Sequence, residues 1–327
     1  MTSLLKGASA LFVAAAMFAG TATAQDRTGW PRDLTIGTAS QGGVYFVYGN
    51  GLAGFLGEQL GLNASGEVTG GPVQNVTLTE MGDQDIGLVT MGPAFEAWNG
   101  ESELAPGLEH RSIRALFAMY ETPFQGIALR SSGITSLADL AGRRVGVGPA
   151  GGTPGTYWPR FLDTLGISAT TSNAGAADTA GQLKDGLVDA FLFAAGLPIG
   201  AFSQLAAEAD VVTFSFTEDE LATILEAHPE VAAFTIPAGT YTAQTEDQLS
   251  VAMWNYAIAR ADMPETLAYE ITRLVLENNP RMMQIHAAAA ATLIENAVPN
   301  NGFLPFHPGA IRYLEEQGIE VPAHLRD

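Results

Sequence analysis

Short aliphatic runs alternate with longer amphipathic stretches from Asp33 onward. The apolar positions predict strands at 34–36, 67–69 and 85–89, and helices at 44–60, 73–81 and 93–99. Strands that alternate with helices are typical of parallel βαβ units, in which ligand-binding loops follow the carboxyl ends of the strands. The first third of the chain therefore predicts an α/β lobe built on a parallel sheet.

The alternating pattern starts again near residue 143. It predicts strands at 143–147 and 190–193, a helix at 153–165 and the end of another helix at 181–186. Extended segments at 125–129 and 251–258 would carry the chain out of a first lobe and back into it. We therefore expect two α/β lobes, one formed by residues 25–124 with 248–327 and the other by residues 125–247.

The last part of the chain predicts three helices, at 264–277, 280–296 and 308–317. Each begins with a proline in or near its first turn, where the missing N–H removes no intrahelical hydrogen bond. Gly318 is placed to end the last helix in a left-handed conformation.

The amino terminus has the pattern of a secretory signal. Lys6 precedes an apolar run from Ala8 to Ala19, and Ala22-Thr23-Ala24 matches an A-x-A cleavage site. The alternative is a membrane anchor, but the run has 12 residues whereas a helix that spans a bilayer needs about 20. We therefore expect residues 1–24 to be a signal peptide cleaved before Gln25, and the mature protein to be exported and soluble.

Composition and charge exclude several functional classes. The chain has 327 residues, 47% of them apolar, and a net charge of −20, which disfavours a nucleic acid as partner. It has no cysteine, so disulfides, thiolate nucleophiles and zinc–thiolate sites are excluded. Its only lysines are Lys6 and Lys184, which leaves almost no candidate for a phosphate-binding or Schiff-base lysine.

Gly146, Gly148 and Gly151 form a G-x-G-x-x-G pattern between a predicted strand and a predicted helix. This pattern is typical of dinucleotide binding, which would make the protein an exported oxidoreductase. No acidic residue ends a second strand about 20 positions later, where the ribose would need one. This absence disfavours a dinucleotide site, which we keep as the alternative interpretation of the loop.

Glycines open three predicted helices, at Gly42-Gly43, Gly70-Gly71 and Gly151-Gly152. Glycine lets backbone N–H groups approach a ligand closely, and the amino terminus of a helix favours an anion. The alternative for each loop alone is a tight turn without a ligand. Because the three starts come from both predicted lobes, we expect them to converge on one small carboxylate.

No pattern of catalytic or metal-binding residues stands out. The five histidines lack H-x-x-x-H and H-E-x-x-H spacings, and there is no G-x-S-x-G sequence. His307 precedes Pro308 at a predicted helix start, which favours a packed or capping residue over a base. We therefore predict a protein that is not an enzyme and that has no cofactor and no metal site.

Residues 304–318 read L-P-F-H-P-G-A-I-R-Y-L-E-E-Q-G. This segment resembles the C-terminal signature L-P-x-H-P-G-A-x-R-Y-x-x-E-x-G of the TAXI-type receptors of tripartite ATP-independent periplasmic (TRAP) transporters. The resemblance extends over nearly all of the mature chain. It includes the G-G-x-Y turn at 42–45, the segment 134–148 and the stretch D-G-x-x-D-A-F at 185–191.

The resemblance implies a type II-like periplasmic-binding fold, with two lobes joined by two extended crossover segments. It also implies a periplasmic receptor, a monomer, that takes an amino acid or 2-oxo acid and delivers it to a TRAP permease. A receptor of an ATP-driven importer would have the same fold and remains an alternative.

On this interpretation, residues from both lobes would bind the ligand. Aromatic walls would come from Tyr45 and Phe193, hydrogen bonds from Asn75 and Thr90, and backbone N–H groups from Gly43, Thr153, Gly155 and Thr156. Phe193 has plain core packing as its alternative. Arg160 is either a counter-ion of the ligand or part of a solvent-facing salt bridge.

Three loops depart from the family pattern. The usual G-S-x-E-N is Gly71-Pro72-Val73-Gln74-Asn75, the usual Q-x-D is Thr90-Met91-Gly92, and G-S-G-T becomes G-G-T-P-G-T at 151–156. These changes make the wall of the first lobe less polar. We therefore expect a simple or 2-oxo carboxylate to be preferred over glutamate.

Overall fold

The computed structural model of the protein describes residues 26–326. The predicted signal peptide and its cleavage site lie outside these residues. No helix within 26–326 is long and apolar enough to cross a membrane.

A parallel sheet organises the first lobe. Strand β1 pairs with β2 on one side and with β3 on the other. The elements of this part of the chain are β1 (Asp33–Gly37), α1 (Val44–Leu60), β2 (Asn63–Glu67), α2 (Pro72–Met81), β3 (Ile86–Thr90) and α3 (Met91–Trp98). The βαβ pattern predicted for this lobe is confirmed, and α1 has the predicted bounds.

The next strand, β4 (Ile113–Leu129), is long enough to belong to both halves of the molecule. Its residues 113–122 pair with a late strand of the first lobe, whereas Phe124–Ile127 pair with a strand of the second lobe. The chain thus leaves the first lobe along one continuous strand.

The second lobe repeats the α/β arrangement. Strand β5 pairs in parallel with β6 and β7, and β8 adds to the other side of β4. Its elements are β5 (Arg144–Gly146), α4 (Thr153–Thr164), β6 (Thr170–Ser172), α5 (Ala176–Lys184), β7 (Ala190–Ala194), α6 (Gly200–Glu208), β8 (Val211–Phe214) and α7 (Glu218–Ala227).

Strand β9 (Ala232–Ile236) leads to the second crossing strand, β10 (Gln248–Arg260). The first half of β10 pairs with β9, and its second half lies between β3 and β4. Both crossover segments predicted from the sequence are therefore strands. The two-lobed α/β fold is confirmed, whereas the lobe boundaries at 124/125 and 247/248 stay a prediction.

The C-terminal helices complete the first lobe. They are α8 (Glu265–Glu277), α9 (Asn279–Ile285) and α10 (Pro308–Glu316). His307 caps α10 by accepting a hydrogen bond at Nδ1 from the Gly309 N–H, and Gly318 adopts a φ of 81°. Capping by His307 and the left-handed Gly318 agree with the sequence predictions.

Two predicted elements were wrong in their extent. The strand predicted at 67–69 lies instead at Asn63–Glu67, a polar edge strand with no apolar run to mark it. The helix predicted at 280–296 ends at Ile285, because His286 is extended and the following alanines form a 3-10 turn. The alanine run has high helix propensity, but tertiary contacts override such preferences.

Candidate functional site

A small cavity lies between the two lobes, at the carboxyl ends of their parallel strands. Its volume is about 40 Å³. Five of the residues predicted to bind the ligand line it, namely Gly43, Tyr45 and Thr90 from the first lobe and Thr153 and Phe193 from the second. Phe193 is also packed against Phe191, so its core and cavity roles coincide.

The starts of all three glycine-opened helices reach this cavity. Gly43 precedes α1, Gly70 and Pro72 lie at the start of α2, and Gly152 precedes α4. The amides of Val44, Tyr45 and Thr153 find no acceptor among the described residues, since they belong to first turns of helices. Each such terminus stabilises a nearby negative charge by about 0.3–1 kcal/mol, and by up to about 2 kcal/mol when partly buried.

Asn75, which the sequence predicts to hydrogen-bond the ligand, does not line the cavity. Its Nδ2 donates to the carbonyl oxygens of Gly37, Thr38 and Leu88, at 3.1, 2.8 and 2.8 Å, and its Oδ1 accepts from the hydroxyl of Thr69. The buried amide thus joins the ends of β1 and β3 to α2. Asn75 is part of the scaffold that holds the loops in place.

Gly155 and Thr156 also lie away from the cavity. The Thr156 N–H donates to the carbonyl of Gly152 at 3.1 Å, so the helix itself uses this amide. A Cβ atom at Gly155 would lie 2.0 Å from the Pro149 oxygen, so glycine is required there for packing of the loop. Of the residues predicted to bind the ligand at this helix start, Thr153 is the one that lines the cavity.

Sequence reasoning missed Asn255, which lies at the centre of a hydrogen-bonded cluster beside the cavity. Its Oδ1 accepts from the Tyr45 hydroxyl at 2.6 Å and from the Thr90 hydroxyl at 3.0 Å. Its Nδ2 donates to the Tyr120 carbonyl and to Thr122 Oγ1, at 2.6 and 2.7 Å. The Thr153 hydroxyl donates across the cleft to Thr90 Oγ1 at 2.8 Å. We call Tyr45, Thr90, Thr122, Thr153 and Asn255 the inner cluster.

The inner cluster is neutral. Burial raises the pKa of the Tyr45 phenol far above its usual range, so the hydroxyl stays protonated and acts as a donor. Among the described residues that line the cavity, none is charged. The cavity therefore offers polar groups, amides without an acceptor and helix dipoles, but no formal charge.

The start of α2 serves the contact between the lobes as well as the cavity. The Val73 N–H donates across the cleft to the carbonyl of Gly151 at 3.0 Å. Gly71 has a φ of 113°, and a Cβ atom there would lie 3.0 Å from Gly152 Cα. Glycine at position 71 thus allows the two backbones to touch.

A second set of contacts joins the loop before α1 to the second lobe. The amides of Ala177 and Ala201, in the first turns of α5 and α6, donate to the carbonyls of Gln41 and Gly42, both at 3.0 Å. The Ala176 N–H donates to Ser40 Oγ at 3.1 Å. Each of these bonds contributes about 0.5–1.5 kcal/mol net, so together they stabilise the closed arrangement of the lobes.

Charged residues join the lobes farther from the cavity. Arg160 on α4 contacts Glu96 on α3 and lies 2.8 Å from Glu103, and the Tyr157 hydroxyl donates to Glu96 at 2.6 Å. We call Glu96, Glu103, Tyr157 and Arg160 the outer cluster. Arg160 forms salt bridges, as one of its two interpretations expected, but these bridges connect the lobes.

No group of acidic and histidine residues suited to a metal ion occurs within 26–326.

The sequence profile of the NMT1-like family matches residues 36–318. The chain belongs to the NMT1-like family. Its fold is similar to that of the periplasmic binding protein BugD, with 14% identity and a TM-score of 0.58 over 90% of this chain and 100% of BugD.

This NMT1-like chain is also similar to two structures solved with ligands. An R. palustris protein with adipate is 19% identical, with a TM-score of 0.56 over 88% of this chain and 94% of that one. MatC from Rhodopseudomonas palustris with bound malate is 14% identical, with a TM-score of 0.56 over 88% and 97% of the two chains. These similarities show that the NMT1-like chain has the fold of periplasmic binding proteins.

Proposed function

We propose that this protein is an exported solute-binding receptor that captures a small carboxylate between its lobes. The observation that carries the proposal is the inter-lobe cavity, into which helix starts from both lobes direct amides without an acceptor. A carboxylate is the common ligand chemistry that satisfies several such donors at once. The similarity to proteins solved with adipate and malate supports a ligand that carries a carboxylate group.

In this proposal, the ligand stabilises the closed state rather than undergoing a reaction. The lobes already touch through backbone bonds such as Val73 to Gly151, and a bound anion would add contacts to both sides of the cleft. Binding then shifts the population toward the closed form. The cavity of about 40 Å³ is far too small for a dinucleotide, which disfavours the oxidoreductase alternative.

The proposal extends to the transport partner. The C-terminal signature at 304–318 resembles that of TAXI-type receptors, so the closed form would deliver its ligand to a TRAP permease. A signal peptide cleaved before Gln25 would place the receptor in the periplasm. We expect the receptor to be a monomer there. The two lobes that move relative to each other on closure would be residues 25–124 with 248–327 and residues 125–247.

Calorimetric titration of the mature protein with a panel of small carboxylates tests the proposal. We expect at least one acid to bind with micromolar affinity, which corresponds to about −8 kcal/mol. Small-angle scattering should then show a smaller radius of gyration with that acid than without it. If no carboxylate binds, or if binding leaves the radius unchanged, the proposed function is contradicted.

A further inference from the structure

We infer that the cavity selects a short monocarboxylate with an uncharged tail, and rejects both amino acids and dicarboxylates. This inference rests on the proposed function and names the ligand class of the same cavity. It follows from the charge of the lining, the supply of donors and the space between the lobes.

The lining offers no partner for a second ionised group. Its sixteen residues are all alanine, glycine, proline, serine, threonine, tyrosine, valine or phenylalanine. An amino acid would bring an ammonium group that needs a carboxylate, and a dicarboxylate would bring a second anion that needs its own donors or a cation. A buried charge without such a partner opposes binding strongly.

The donors suffice for one carboxylate. The amides of Val44 and Tyr45 approach from the first lobe and that of Thr153 from the second. The Tyr45 and Thr90 hydroxyls already donate to Asn255, so their hydrogens are engaged. The Thr153 hydroxyl donates to Thr90 Oγ1 and not to Asn255. Its hydrogen can therefore reorient toward a ligand without breaking a bond to Asn255.

The space between the lobes limits the length of the ligand. A cavity of about 40 Å³ has room for roughly three or four water molecules, at about 10–15 Å³ each. A longer chain would have to separate the lobes where Val73 donates to Gly151 and Thr153 to Thr90. The remaining lining includes Pro72, Pro149 and Pro154, which suit a short apolar tail.

Four acids that differ by one feature test the inference in the wild-type protein. Relative to propionate, L-alanine adds an ammonium group, malonate has a second carboxylate in place of the methyl group, and hexanoate adds only length. We expect calorimetry to show that propionate binds at least tenfold more tightly than each of the other three. Equal or tighter binding of alanine, malonate or hexanoate would overturn the inference while leaving the proposed function in place. If none of the four binds and the wider panel fails as well, the proposed function itself falls.

Two threonines on the same helix locate the binding site. Thr153→Val removes the hydroxyl at the cavity, and Thr164→Val removes a hydroxyl that contacts His228 away from it. We expect Thr153→Val to weaken propionate binding about tenfold and Thr164→Val to leave it unchanged. Unchanged binding by Thr153→Val, with the fold intact by circular dichroism, would place the acid elsewhere and refute the inference.

Discussion

The inner and outer clusters both join the lobes, but they differ in chemistry. The inner cluster is neutral and buried, and each of its members is hydrogen-bonded to another. The outer cluster contains an arginine and two glutamates, and the side chains of Arg160, Glu96 and Glu103 are 32%, 14% and 69% exposed. Charge thus lies in a cluster that reaches the solvent at Arg160 and Glu103, and it is absent from the lining of the cavity.

This difference indicates a division of roles. A charged pair in partly exposed positions contributes little to stability, about 0–1 kcal/mol, but it favours the closed arrangement. A neutral interior leaves the helix amides as the strongest attraction for an anion. Ligand selection would therefore depend on the inner cluster, whereas closure of the lobes would depend on both the inner and the outer cluster.

Removing Asn255 should have the largest effect. Asn255→Ala leaves the hydroxyls of Tyr45 and Thr90 without their acceptor in a buried site. We expect the free energy of unfolding to fall by about 3 kcal/mol, and carboxylate binding to be lost. Asn63→Ala, which removes one exposed bond to Asp33, is the control and should change stability by less than about 0.5 kcal/mol. Similar denaturation midpoints for the two variants would contradict the central role of the inner cluster.

Blocking the approach of the lobes should have the next largest effect. Gly71→Ala places a methyl group 3.0 Å from Gly152 Cα, so we expect ligand affinity to fall at least tenfold, by calorimetry. Gly133→Ala is a matched control, since Gly133 also has a positive φ, of 74°, but a Cβ there meets nothing within 4 Å. Comparable losses of affinity in both variants would show that backbone strain, not the inter-lobe contact, is responsible.

Removing the outer charge should have a smaller effect. Arg160→Gln breaks the bridges to Glu96 and Glu103, and we expect a two- to fivefold loss of affinity, corresponding to about 0.4–1 kcal/mol. The loss should shrink at high salt, because screening weakens the bridges in the wild type. Arg144→Gln breaks a bridge to Asp189 within the second lobe and should bind as the wild type does. A loss of affinity that is independent of salt would contradict this account of the outer cluster.

A change of pH should have almost no effect on the inner cluster. Tyr45 is the only titratable side chain among the described lining residues, and burial raises its pKa, so its charge does not change between pH 6 and 9. We expect the affinity for propionate to vary less than about twofold over that range, and to fall below about pH 5 as the acid itself is protonated. A clear inflection between pH 6 and 8 would show that a group other than Tyr45 titrates in the site and would contradict a neutral lining.

The sequence predicted most of the fold because its signals were local. Helix α1 was predicted with its observed bounds, since the glycine pair before Val44 and Gly61 after Leu60 mark both ends. Strand β2 was misplaced because its residues, N-A-S-G-E, are polar at an exposed edge.

The site was only partly predictable, since two of its features depend on tertiary structure. Asn255 lies in the mostly apolar second part of strand β10, V-A-M-W-N-Y-A-I-A at 251–259, and its role arises from residues up to 210 positions away. The assignment of Asn75 to the ligand rests on the resemblance to TAXI-type receptors, because Asn75 is retained from their G-S-x-E-N pattern. Only its distances to three carbonyls show that its side chain is engaged by the scaffold.

A crystal structure of the mature protein grown with propionate tests the central claim most directly. We expect the carboxylate to lie between Tyr45 and Thr153, within hydrogen-bond distance of the first amides of α1 and α4, with no arginine or lysine beside it. Propionate bound outside the cleft, or paired with a cationic side chain, would contradict the account.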